Sequence, residues 1–62
     1  MNKKTIFVNV DDDDSEILTL DFIVTPAETI SINGQDFALD FFDDEINGNN
    51  FTRFVYLVET NE

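Results

Sequence analysis

Thr29-Ile30-Ser31-Ile32-Asn33-Gly34-Gln35-Asp36-Phe37-Ala38-Leu39-Asp40-Phe41-Phe42 places two alternating runs on either side of Asn33-Gly34. Asn-Gly is the strongest short hairpin signal, because both central residues of a type I′ turn need φ > 0. Ile30 and Ile32 share one face before the turn. Phe37, Leu39 and Phe41 are expected to share one after it, with Asp36 and Asp40 opposite, ~13 Å apart at ~3.3 Å per residue. One hairpin thus carries an apolar face and a repeated outward acid.

Working outward, Thr5 to Val10 alternates and reads as a first strand, ended by Asp11-Asp12-Asp13-Asp14-Ser15-Glu16. Adjacent like charges repel, and Asp is depleted in strands. Ile17 to Thr25 reads as a second strand, with Leu18, Leu20, Phe22 and Val24 on one face. Pro26 ends it, having no N–H to donate to a ladder. Thr25-Pro26-Ala27-Glu28 has capping-box spacing and predicts a single helical turn. After the hairpin, Asp43 to Asn50 reads as a polar connection and Phe51 to Glu59 as a fifth strand. That strand is apolar on both faces, which suits a central strand or one covered by a partner. The expected fold is all-β: a five-stranded antiparallel meander, strongly twisted or partly closed into a barrel, forming a single domain over residues 1–62.

A chain of 62 residues buries only about 60% of the surface its unfolded form exposes. Without cysteine or histidine it has neither a disulfide framework nor the usual general base or metal ligand. Ser15 and Ser31 lack a His partner, and there is no Gly-rich phosphate loop. Paired carboxylates alone need a deep cleft to hydrolyse glycosides, so no enzymatic activity and no cofactor are expected. Asp43-x-Glu45-x-Asn47-Gly48 opens like a calcium-binding loop. It fails at Phe54, where the twelfth position calls for Glu, and its flanks read as strands. Solvated acidic loops are the better reading, and no metal site is assigned. The apolar run after Lys3-Lys4 ends at Asp11, too short for a signal peptide or a membrane span, so a cytoplasmic location is expected.

Fourteen Asp and Glu face three Lys and Arg, a net charge of −11. Such a charge repels nucleic acid and anionic membranes and attracts basic protein surfaces. Outward acids are also ordinary solubilising groups, and acid-rich proteomes such as those of halophiles carry them in excess. The imbalance itself is better served by a partner. A span near ~28 Å for a chain of this length would give one net charge per ~2.5 Å, the order of the one per ~1.7 Å of duplex DNA. In size and acidity the chain resembles small phage proteins that inhibit host enzymes, a resemblance of composition with no shared motif.

The expectation is therefore a non-catalytic acidic binding protein, a DNA mimic that inhibits or regulates a basic nucleic-acid-handling protein as a monomer or homodimer. Asp11, Asp12, Asp13, Asp14, Asp21, Asp36, Asp40, Asp43, Asp44 and Glu45 would supply charge, with Phe42 and Tyr56 as the apolar anchor. The alternative is an assembly subunit that packs on copies of itself through strand edges and a second apolar face. Arg53 is the only basic residue away from the first few positions, and a cross-strand acid is its expected partner.

Overall fold

The computed structural model describes residues 2–60. Five strands, β1 (Asn2–Asn9), β2 (Ser15–Leu20), β3 (Thr29–Ile32), β4 (Gln35–Asn47) and β5 (Asn50–Glu59), form one sheet. It curls into a half-barrel with strand order β2-β1-β5-β4-β3. The fold is all-β, and the strand apolar on both faces is indeed the central one. The Asn33-Gly34 turn is also as expected. Asn33 has φ 54° and Gly34 φ 80°, and the arms pair from Ile32↔Gln35 to Thr29↔Ala38.

Four details depart from the sequence reading. The sheet is mixed rather than a pure antiparallel meander, because β1 and β5 pair in parallel from Asn2↔Asn50 to Asn9↔Leu57. At the edge of a meander, β1 would leave Phe7 and Val8 on an open flank. Beside β5, both side chains are buried. The second strand stops at Leu20 instead of Thr25, and Asp21 to Glu28 crosses from one edge of the sheet to the other. No helical turn forms at Pro26. The segment is tied to the sheet on both sides of Pro26, at Phe22 and Val24 by Thr5 and Arg53 and at Glu28 by the Leu39 N–H, which commits its backbone away from a helical turn. Among the described residues, the one helical element is a 3-10 turn at Val10–Asp12. Lastly, β4 continues through the acids 43–45 to Asn47, and the polar connection shrinks to a turn at Gly48-Asn49.

The inner face holds the core: Phe7, Ile32, Phe37, Val55 and Leu57, with Leu18, Leu20, Val24, Ile30 and Leu39 against it. A bulge in β2 between the partners of Phe7 and Val8 leaves Ile17 as the extra residue. It too packs on this core.

The crossing segment is tied down by side chains. Thr5, with no exposed surface, donates from Oγ1 to the Phe22 carbonyl (2.8 Å) and accepts from the Val24 N–H (3.0 Å). Arg53 Nη1 donates to the Val24 carbonyl at 3.1 Å. Its Nε and Nη2 hold Asp44 at 2.6 and 3.0 Å, and its guanidinium lies 4.8 Å from the Phe42 ring centroid. One arginine thus joins the crossing segment, β4 and β5, as a planar fork with five donors is able to do.

Those hydrogen bonds from Arg53 hold the Asp44 carboxyl below its ordinary value of 3.8, with the nearby positive charge adding to the effect and partial desolvation opposing it. A carboxylate with a depressed folded-state value contributes stability above its unfolded value and loses it as pH falls through the folded one. Asp44→Asn should therefore lower the melting temperature at pH 7. The difference from wild type should shrink below about pH 3.8 and vanish once Asp44 is protonated in the fold. A pH series of melting curves on both proteins checks this, and a difference independent of pH would contradict it.

Candidate partner-binding surface

Register decides where the acids go. At one end of the half-barrel meet the C-terminal ends of β1 and β5, the N-terminal ends of β2 and β4, and the β3–β4 turn. That end carries Asp11, Asp12, Asp13, Asp14, Glu16, Asp36 and Glu59, while Lys3, Lys4 and Arg53 lie on the other half. The charge is thus polarised along a molecule 41 Å long and 17–19 Å across.

The acidic pole is also pinned. Asn9 accepts from the Asp11 N–H at 3.0 Å and donates to Glu59 Oε2 at 2.9 Å, while the Glu59 N–H donates to the Asp11 carboxylate at 2.8 Å. Ser15 donates to Asp12 at 3.0 Å, and Ser31 donates to Asp36. Asp13 and Asp14 both adopt left-handed backbone, φ 54° and 57°, a conformation Asp tolerates better than most residues. Their carboxylates stay exposed.

The remaining proposed residues do not all join this pole. Asp21 lies at the far end, beside Lys3 and Lys4 in a shallow cleft of about 540 Å³ that Glu45 and Thr52 also line. Asp44 faces inward toward Arg53. Asp40 is the extra residue of a bulge, because β4 pairs Leu39 with Leu57 and then Phe41 with Tyr56. The alternation therefore resets at Asp40, and Phe41 leaves the face of Phe37 and Leu39. It stacks on Tyr56 with ring centroids 4.5 Å apart. Phe42 turns to the inner face beside Arg53, so Phe42 and Tyr56, expected as one anchor, lie on opposite faces of the sheet.

Around that stacked pair runs an outer apolar face made of Ile6, Val8, Phe54 and Val58, with Asp43 and Glu45 following Phe41 on the same side of β4. Phe41 is 52% exposed. The sequence reading placed Phe41 with Phe37 and Leu39, because alternation puts one of Phe41 and Phe42 outside and only the bulge decides which. Among the described residues, no three carboxylates come together in a group that would hold a metal ion. No described helix is long and apolar enough to cross a membrane.

Fold and surface together define a class: a curled, mixed β half-barrel with an acidic pole and an aromatic outer face. No protein-family model, curated protein or solved structure matches the chain.

Proposed function

We propose that the protein is a non-catalytic binding protein whose acidic pole occupies the basic groove of a nucleic-acid-handling protein and excludes nucleic acid from it. The observation that carries this reading is the gathering of seven acids at one end of the sheet, with every lysine and arginine on the other half. Averaged over 41 Å, eleven net charges amount to about one per 3.7 Å, sparser than the duplex. The polarisation offsets that deficit where it matters, at the pole. Pinning by Asn9 and Glu59 lowers the ordering cost of binding. Association would be fast and salt-sensitive, because the pole displaces ions condensed in the partner's groove.

Capture of basic proteins from lysate at low salt, followed by elution with duplex DNA, tests the reading. The expected result is a partner that DNA displaces. Asp13→Asn with Asp14→Asn, which keeps residues tolerant of left-handed backbone, should weaken that capture about tenfold or more and flatten its salt dependence. Asp21→Asn, at the far end beside Lys3 and Lys4, should not. Failure of DNA to displace the partner, or equal behaviour of the two variants, would overturn mimicry.

The outer apolar face favours a second reading, a subunit that assembles with copies of itself. Screening would then promote a symmetric oligomer in sedimentation as salt rises. The first reading expects one that does not grow with salt.

A further inference from the structure

The hydrogen-bonding edge of β4 is only half used. β3 pairs with Gln35–Ala38, and the Leu39 N–H donates to the Glu28 carbonyl at 2.9 Å. Beyond that point, among the described residues, no segment pairs with Asp40–Asn47 on the side away from β5. Every residue of this stretch is exposed. Phe41, Phe42 and Ile46 are at least 45% exposed. A long unpaired edge is a template for another strand, and proteins ordinarily blunt one with a short strand, proline, a bulge or charged side chains. Here the edge is long and contains no proline, a bulge sits only at its start, and its charged residues are all acids.

Charge decides what that edge accepts. Along Asp40-Phe41-Phe42-Asp43-Asp44-Glu45-Ile46-Asn47, every parallel or antiparallel register that pairs at least five residues with a second copy sets one acid directly opposite another. Like charges directly opposite are destabilising. A strand with basic residues facing Asp43 and Glu45 meets the opposite sign in each case, with Asp44 already sharing its carboxylate with Arg53, and apolar neighbours would cover Phe41 and Phe42. We infer that the free edge of β4, Asp40–Asn47, adds an extended basic segment of the partner as a sixth strand. The inference rests on the reading of a basic partner. It places part of the contact on backbone hydrogen bonds, which supply affinity in strand addition while the side chains supply selection.

The probe is a capped octapeptide with Lys opposite Asp40, Asp43 and Glu45, and Val elsewhere. Two further versions are N-methylated on alternate nitrogens, in opposite phases. Methylation removes N–H donors without altering the protein or the peptide charge. Amide spectra of the labelled full chain should shift mainly at 40–47, and exchange there should slow when the parent peptide binds. One methylated phase should lose at least about tenfold in affinity and the other much less. Equal binding of all three peptides would mean charge alone and would overturn the inference. Shifts centred on Asp11 to Asp14, or self-association with protection at 40–47 before any peptide is added, would overturn it as well. If the peptide pairs at the edge while DNA fails to displace the captured protein, mimicry falls and the edge stands. If DNA displaces the partner and the peptide does not pair, the edge falls alone.

Discussion

Replacing Leu57 with alanine is expected to remove about 2–5 kcal/mol of stability, the range for large-to-small changes in a filled core. Leu57 has no exposed surface and lies on β5, the central strand, opposite Asn9 of β1 and Leu39 of β4. Truncation there takes contacts from both halves of the sheet. At ~0.05–0.15 kcal/mol per residue, a chain of this length has about 3–9 kcal/mol in total. The variant should therefore be partly unfolded at 25 °C, or should melt with a urea midpoint at least about a fifth below that of wild type. The slope of the transition should stay the same if only stability has changed. A midpoint within error of wild type would show that the inner face is not the main support of the fold.

The second large effect concerns a polar group. Thr5→Val keeps shape and volume but deletes the hydroxyl that both donates to Phe22 and accepts from Val24. No buried side-chain polar atom among the described residues lacks a partner, and this change would strand two backbone groups at once. Each partly buried group left unpaired costs about 1–3 kcal/mol. The loss should be concentrated in the crossing segment, with faster hydrogen exchange at the Val24 amide than in β5. Thr5→Ser keeps both hydrogen bonds and loses only a methyl, about 1 kcal/mol. If serine and valine prove equally damaging, packing rather than hydrogen bonding anchors the segment.

These two residues also mark what the chain disclosed in advance. The hairpin was legible because Asn33-Gly34 is a local signal with a local cause: two consecutive positive φ angles. The two apolar faces of β5 were legible, but they suited a central place and a partner's cover alike, and a meander would have put it at an edge. What escaped was non-local. Nothing in the alternation of Thr5 to Val10 says that its neighbour is a parallel strand 48 residues away, since periodicity reports which face is buried and not against whom. The run Ile17 to Thr25 looked like one strand because Leu18, Leu20 and Val24 are all apolar. In fact Val24 reaches the core from a crossing segment, while Phe22 is left exposed. Thr5 attracted no notice, because a threonine in a strand is ordinary until its partners are known.

The acidic surface divides in the same way. The number of acids and the run Asp11 to Asp14 are plain in the sequence, but their gathering with Asp36 and Glu59 at one pole requires the register. The bulge at Asp40 is the decisive unseen detail. A single unpaired residue exchanges the positions of Phe41 and Phe42, putting one on the outer face with Tyr56 and the other beside Arg53.

The parallel pairing of β1 with β5 bears on the order of assembly. Asn2 meets Asn50, so the middle of the sheet closes only after 48 intervening steps of chain exist. At ~5–20 residues per second of synthesis, β1 waits roughly 2–10 s on the ribosome for its neighbour. Until then it has β2 alone, and a lone hairpin is marginal in water. Such long-range closure places the protein among slow folders, on the millisecond-to-second scale, despite its size. Over that wait the growing chain shows Phe7, Val8 and Leu18 to the cell, and the four consecutive aspartates between β1 and β2 are the nearest groups that keep one nascent chain from another.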